Sequence, residues 1–428
     1  MNAETAFEMA TSRIRFGAGV TREIGMDLKD ADIEHVMVLT DPKLSRLPPV
    51  ASVLESLDDQ KIAYSLFDQV HVEPTDESFQ EAIAFAGRPG ESGFDGFVAV
   101  GGGSVIDTAK TANLYASYPA DFMAYVNAPI GQAKPVPGPL KPLIAVPTTI
   151  GTGSETTGVA IFDLAHRRVK TGIAHRHLKP TLGLLDPLHS RTLPSQVAAC
   201  TGLDVLCHAV ESYTAIPFDQ RPRAQRPALR PAYQGSNPIS DVWALQALRM
   251  VNQFLLRAVN DAEDAEARGM MLLAASYAGL GFGNAGVHLP HAVAYPVAGM
   301  VSDYQPEDYA VDHPIVPHGM SVILHASAVF KFTAAKCPQR HLQAAEALGV
   351  NIDRAASNDA GTILADRIVH LMQQLGMPNG LSAIGYTTDD LPALVGGALA
   401  QERLTSMSPR PVGEQELSEL FEQAMRCW

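Results

Sequence analysis

The first 190 or so residues alternate short β-branched runs with stretches of helical spacing, and this alternation is the feature that most restricts the fold. Strands are expected at His35–Thr40, Ile62–Phe67, Gly96–Val100, Leu143–Pro147 and Leu182–Asp186, with helices at Val50–Gln60 and Glu77–Ala86 among them. Strands that alternate with helices demand crossover connections, and these make a parallel sheet. From Pro194 onward the text turns Ala- and Leu-rich at helical period. One helix is expected to start at Asn237-Pro238, a good N-cap followed by proline at the first helical position. Others are expected at Ala265–Gly279, Met320–Lys331, Gln339–Leu348, Ala360–Leu375 and Glu414–Met425, with no convincing strand. The expectation is an α/β Rossmann-like domain over residues 1–190 and an all-α domain over residues 191–428. Two irregular stretches interrupt the helices: the proline- and arginine-rich Ile216–Gly235, and Val301–Pro317. Long loops of this kind are either functional or solvated surface.

The run FVAVGGGSVIDTAK is a strand, a glycine loop and a helix. Gly101, Gly102 and Gly103 would let backbone approach a ligand and adopt positive φ. The helix from Ser104 aims free N–H groups and the positive end of its dipole at that loop, a geometry that binds pyrophosphate. The motif is neither G-x-G-x-x-G nor a Walker loop, and Asp107 stands where a helix-packing glycine is expected. A second strand runs into the polar turn of LIAVPTTIGTGSE, where Thr148, Thr149, Thr152 and Ser154 offer hydroxyls to ribose or phosphate oxygens. Asp41 ends the first expected strand. A carboxylate there either starts a turn or accepts from an adenosine ribose, in which case it favours NAD over NADP.

TGLDVLCHAVES places Asp204 and His208 at i and i+4, one turn apart on a helix face. One oxygen and one imidazole make half a site for a divalent metal. GNAGVHLPHAVAYP adds His288 and His291, and VDHPIVPHGMS adds His313 and His318. An Asp with three His gives four ligands and leaves a position open for substrate, as catalytic sites do. His291 and His318 fit the set, with His288 and His313 as the competing choices. The mixed nitrogen and oxygen donors suit Fe²⁺ or Zn²⁺ equally.

The net charge of −14 and sequence pI near 5.4 argue against nucleic acid and against an anionic membrane surface as partners. No apolar run approaches the ~18 residues of a membrane span. The four scattered cysteines fit a reducing compartment. The first residues, MNAETAFEMATSRIRFG, carry Glu4 and Glu8 and no apolar core segment, so a cytoplasmic enzyme is expected.

GGGSVIDTAK, PTTIGTGSE, TGLDVLCHAVES, the His291 segment and PHGMS occur in the order seen in iron-containing alcohol dehydrogenases. The chain resembles that family, and AFEMATSRIRFGAGVTREIGMDL, PAYQGSNPISDVWAL, GFGNAGVHLPHAV and VDHPIVPHG resemble its hydroxyacid–oxoacid transhydrogenase branch. The resemblance implies a Rossmann-like domain, a helical domain and an active site in the cleft between them. It implies metal ligands Asp204, His208, His291 and His318, with iron the expected ion and zinc the alternative. It implies NAD-binding residues Asp41, Gly102, Gly103, Ser104, Asp107, Thr148, Thr149, Thr152 and Lys170, and a homodimer or larger homo-oligomer. Alcohol-specific members often keep a further His one turn past the third ligand, where this chain has Tyr295, and a Gly where it has Ala292. His288 and Tyr295 are therefore the expected catalytic side chains. The expected chemistry is hydride transfer between a small alcohol or hydroxyacid, such as 4-hydroxybutyrate, and NAD or a 2-oxoacid. A substrate carboxylate would need a cation, for which Arg223, Arg226, Arg230 and Lys331 are candidates. The alternatives are a general alcohol dehydrogenase that releases NADH each cycle and, more remotely, a lyase resembling dehydroquinate synthase.

Overall fold

The computed structural model describes residues 3–87, 93–167, 169–309, 311 and 313–428. The chain divides into two compact units, Ala10–Leu193 and a second made of Met1–Met9 with Pro194–Trp428. The first nine residues, expected within the α/β domain, thus join the helical unit, and the other division falls after Leu193 rather than after residue 190. Glu4 anchors them, ion-paired to Arg230 at 3.2 Å, with its backbone N–H donating to the Arg221 carbonyl at 2.8 Å.

In chain order the first unit contains β1 (Arg13–Phe16), α1 (Ile24–Asp30), β2 (His35–Leu39), α2 (Pro48–Asp59), β3 (Ala63–Phe67), α3 (Asp76–Ala86), β4 (Gly96–Gly101), α4 (Gly103–Ser117), β5 (Leu143–Pro147), β6 (Val159–Leu164), β7 (Val169–Ala174) and β8 (Leu182–Leu185). Six strands form one parallel sheet in the order β1-β8-β5-β4-β2-β3. Successive side chains on a strand point to opposite faces. Val36, Val38, Val98, Val100, Ile144 and Val146 accordingly pack on Ile24, Leu28, Val53 and Leu57 of α1 and α2. Met37, Leu39, Phe97, Ala99 and Ala145 pack on Ala82 of α3 and Ile106 and Ala109 of α4. Burial on both faces is why these strands are unbroken apolar runs rather than alternating ones. The antiparallel hairpin β6–β7 and the edge strand β1 add to the expected set.

The helical unit contains α5 (Ser195–Thr214), α6 (Pro238–Asn260), α7 (Ala265–Ala285), α8 (Leu289–Gly299), α9 (His318–Ala334), α10 (Pro338–Ala347), α11 (Ala360–Gln374), α12 (Leu391–Leu399), α13 (Glu402–Thr405) and α14 (Glu414–Ala424). Both sheets belong to the first unit. α5 is the central element, buried without a break from Gly202 to Thr214 and packed on α6, α7 and α9. Asn237 caps α6 as expected, its side chain accepting from the backbone of Ile239 and Ser240. Among the described residues no single helix is long and apolar enough to cross a membrane; α7 and α8 pass together on length and composition but are bent by 104°.

Candidate metal centre and dinucleotide loops

Three helices of the second unit bring four ligand-type side chains together. α5 carries Asp204 and His208 one turn apart, α8 carries His291, and His318 opens α9. The offered atoms all lie within 4.8 Å of one another. From Asp204 Oδ1, the Nε2 atoms of His208 and His291 are each 3.6 Å away and that of His318 is 3.9 Å away. An ion held tetrahedrally at about 2.1 Å separates its ligands by roughly 3.4 Å, so the set is close to that spacing. Asp204, His208 and His291 are buried, while the His318 side chain is 27% exposed. His313 is exposed and lies outside the cluster.

A glycine makes the convergence possible. A Cβ at Gly319 would sit 2.0 Å from the Cys200 carbonyl oxygen and 3.0 Å from Asp204 Cβ. Only a bare backbone lets the first turn of α9 press against α5 and deliver His318 to Asp204.

The ring orientations are fixed from behind. Glu211 lies at i+7 from Asp204 on the same face of α5 and is fully buried. Its Oε1 lies 2.6 Å from His291 Nδ1, and its Oε2 accepts from the His288 backbone N–H at 2.6 Å. Burial pushes the Glu211 carboxyl well above its usual range, and the two hydrogen bonds pull the other way. With the proton on Nδ1, the lone pair of His291 Nε2 faces Asp204. That Nε2 is buried without a hydrogen-bond partner, an expense that a cation would remove. Burial first, and then the charge of Arg403, push the His291 pKa down to about 3, so the imidazole is neutral and able to ligate. His208 stacks on Phe282, centroids 4.0 Å apart at 14°. The donor set and the bare Nε2 fit a divalent ion. Sequence reasoning missed Glu211, although the i, i+4, i+7 spacing within TGLDVLCHAVES is its signal.

His288 is placed elsewhere. It caps α8, its Nδ1 accepts from the Leu289 N–H at 2.7 Å, and its Nε2 meets Thr214 Oγ1 at 2.9 Å. Both ring nitrogens are thus used in the core, away from the ligand cluster. Tyr295 lies one turn beyond His291 on α8, its ring 6.5 Å from that of His318.

In the first unit, Asp41, the Gly101–Gly103 loop and the Thr148–Ser154 turn follow β2, β4 and β5, which are neighbours in the sheet. All three stand at the carboxyl edge, where open α/β sheets bind ligands. This explains an acid upstream of its glycine loop, because β2 precedes β4 in sequence and adjoins it in space. Gly102 is the N-cap of α4 with no side-chain hydrogen bond, leaving the first amides to a ligand. Positive φ is not what the glycines supply, since Gly102 has φ −74°. They supply proximity: a Cβ at Gly103 would meet Thr152 Cγ2 at 2.8 Å, and one at Gly102 would meet Thr149 Cγ2 at 3.0 Å. Thr149 Oγ1 is buried with no hydrogen-bond partner, and the Thr148 N–H donates to the Gly101 carbonyl at 3.2 Å. These loops fit a dinucleotide.

Four expected cofactor residues have protein partners. Asp107 accepts from Ser154 Oγ at 2.5 Å and from the Ile161 N–H at 2.9 Å, and it pairs with Lys110 at 3.1 Å, so it braces α4 against the second loop. Lys170, buried on β7, pairs with Glu73 at 2.7 Å and Asp163 at 2.9 Å. Burial opposes its charge, but the two carboxylates outweigh that and hold its pKa above the ordinary lysine value. Asp41 Oδ1 accepts from the N–H groups of Lys43 and Leu44, both at 2.9 Å, which is the turn-starting role. Ser104 Oγ accepts from the Glu73 N–H at 3.2 Å.

Comparison with known proteins identifies the family. Residues 11–187 match the iron-containing alcohol dehydrogenase family and residues 232–425 match the C-terminal part of the Fe-containing alcohol dehydrogenase family. The chain is 57% identical to hydroxyacid-oxoacid transhydrogenase, mitochondrial, of Rattus norvegicus, across 99% of this chain and 90% of the rat protein. It is 56% identical to the protein of that name from Homo sapiens, covering 99% of this chain and 90% of the human one. A crystal structure of 1,3-propanediol oxidoreductase superposes with a TM-score of 0.85 at 27% identity, covering 98% of this chain and 100% of that one. The expected cytoplasmic location is overturned, because these relatives are named mitochondrial; the composition of the first residues was no guide to compartment. The chain belongs to the iron-containing alcohol dehydrogenase family and is an oxidoreductase.

Proposed function

We propose that this chain is a hydroxyacid–oxoacid transhydrogenase that works in mitochondria. The net reaction transfers a hydride from the carbinol carbon of a small hydroxyacid such as 4-hydroxybutyrate to the carbonyl carbon of a 2-oxoacid such as 2-oxoglutarate, for which NAD would supply the carrier. The hydroxyl proton leaves with the first half and an equivalent proton returns in the second, so nothing accumulates on the enzyme. The observation that carries the reading is the buried convergence of Asp204 with three imidazoles, in a chain 57% identical to relatives of that name.

Asp204, His208, His291 and His318 would hold the ion, which we assign as iron. When bound, a divalent ion supplies a Lewis acid that lowers the pKa of a substrate hydroxyl. NAD supplies the hydride carrier. The chain's own work is positional. Glu211 keeps the proton on His291 Nδ1, and Phe282 holds the plane of His208. His318, the most exposed of the four, marks the side from which substrate enters. Tyr295, one turn beyond His291, is assigned the relay of the hydroxyl proton. Gly102, Gly103 and the open start of α4 would take the pyrophosphate, with Thr148, Thr149 and Thr152 beside it. Asp41 would accept from the ribose through the oxygen its turn does not use.

Stopped-flow mixing of anaerobically prepared enzyme with NAD and 4-hydroxybutyrate tests the reading. One equivalent of NADH should form and stay bound until 2-oxoglutarate discharges it. Steady release of free NADH would instead identify a plain alcohol dehydrogenase. His318→Ala should lose metal and turnover and keep NAD affinity; full activity in that variant would refute the ligand set.

A further inference from the structure

A hydroxyacid differs from an alcohol by a carboxylate, and the residues assigned so far offer it no cation. A four-carbon chain puts that carboxylate roughly 4–5 Å from its carbinol carbon, given bonds of about 1.5 Å. The cation must therefore lie close to the ligand cluster. We infer that Arg403 binds the substrate carboxylate and sets the preference for hydroxyacids over alcohols; this rests on the reading of the site given above.

Three observations carry the assignment. Arg403 lies on α13, which packs against α8, the helix that bears His291. Its Nη1 is buried and has no hydrogen-bond partner. Its guanidinium sits 4.7 Å from the centre of the Tyr233 ring. Stacking on an aromatic face fixes the plane of the fork and leaves its edge free for a planar anion. A buried donor without a partner disfavours an apolar ligand end and rewards an oxygen, so the same group that attracts the acid discriminates against the alcohol.

The cations expected from sequence are poorly placed for this task. Arg230 pairs with Glu4 at 3.2 Å, and Arg223 and Arg226 are exposed. Lys331 lies thirteen residues along α9 from His318, which on a helix is about 20 Å.

The test compares 4-hydroxybutyrate with 1-butanol in wild type and in Arg403→Gln and Arg403→Lys. A charged hydrogen bond lost on binding corresponds to about 10- to 150-fold. Arg403→Gln should raise KM for the acid by that factor with kcat within a few-fold, so the acid-to-alcohol ratio of kcat/KM falls at least tenfold. Arg403→Lys, which keeps the charge and loses the fork, should fall between. An unchanged ratio would overturn the assignment. Calorimetric titration of butyrate into the metal-loaded protein tests the anchor apart from turnover. Binding that vanishes in Arg403→Gln supports it, and equal binding in both proteins overturns it even if the hydride chemistry stands. If wild type binds butyrate through Arg403 but fails to oxidise 4-hydroxybutyrate, the functional reading fails and the anchor survives.

Discussion

Glu211→Gln is the substitution that most sharply tests how the metal centre is built. The carboxylate faces two donors, His291 Nδ1–H and the His288 N–H, each at 2.6 Å. An amide of the same shape has one acceptor oxygen and one NH₂ group. The backbone N–H of His288 cannot turn away, so the oxygen is drawn to it and the NH₂ is left facing His291. His291 can accept that donor only by moving its own proton to Nε2, the nitrogen aimed at Asp204. Metal binding must then restore the original tautomer and strand one buried donor, at about 1–3 kcal/mol. Oriented carboxylates behind metal-bound histidines are worth 10- to 100-fold in affinity, about 1.4–2.7 kcal/mol, in the same range. Anaerobic competition against a chelator, with Fe²⁺ and with Zn²⁺, should show the dissociation constant rising 10- to 100-fold in Glu211→Gln. NAD binding should not change, since the glycine loops belong to the other unit. A variant that holds metal as tightly as wild type would show that Glu211 does not fix the His291 tautomer.

Gly103→Ala puts a Cβ 2.8 Å from Thr152 Cγ2; overpacking of this kind costs about 1–3 kcal/mol. NAD affinity by calorimetry should drop roughly tenfold with metal content intact, and an unaltered affinity would refute the close-approach role of the glycine. His325 and His341 are each pushed down to about 4, by burial first. Unfolding returns them toward 6.5, so between about pH 4 and 6.5 the unfolded chain binds protons that the folded one does not. Their contribution is complete above pH 6.5 and is lost as pH falls through that window, by about 2 kcal/mol each at pH 5. Urea midpoints should be lower at pH 5 than at pH 7.5, and equal midpoints would show that these histidines titrate normally in the fold.

The legible strands were those whose burial is two-sided. β4 and β5 are apolar at every position because helices cover both faces, and a continuous apolar run followed by a glycine or threonine turn is hard to misplace. β1 escaped because its sequence RIRF is charged and its side chains are only half-buried. Its place at the sheet edge depends on pairing with β8, some 170 residues away. The β6–β7 hairpin stands outside the parallel sheet, so an expectation built on strand–helix alternation had no place for it. α8 is broken in the text by Pro290 and Pro296 yet is helical, since the first sits at the helix start, where its missing N–H costs nothing. The N-terminal residues show a limit of another kind, for the partner of Glu4 is Arg230, and no local pattern announces it.

The site divides along the same line. Asp204 and His208 were readable because a carboxylate and an imidazole one turn apart, by themselves an ordinary helix-surface pair, are followed by further His-bearing segments, and Glu211 stood within reach of the same helical count. His318 needed more. Its position in space is decided by Gly319, where any side chain would strike the Cys200 carbonyl, so the small residue after the ligand is as much a part of the metal site as the ligand. The same logic applies to the two phosphate loops, which meet only because Gly102 and Gly103 leave room for Thr149 and Thr152. Ligand types can be read from sequence by their chemistry, but convergence is a packing property. It is written in the residues that have nothing to contribute except absence of bulk. Arg403 sits outside any motif and depends on packing in just this way, since its fork is aimed by Tyr233 from a loop 170 residues earlier. A substrate-selecting group held by packing can change without disturbing the ligand motifs, so the metal-binding residues alone do not fix which substrate the scaffold serves.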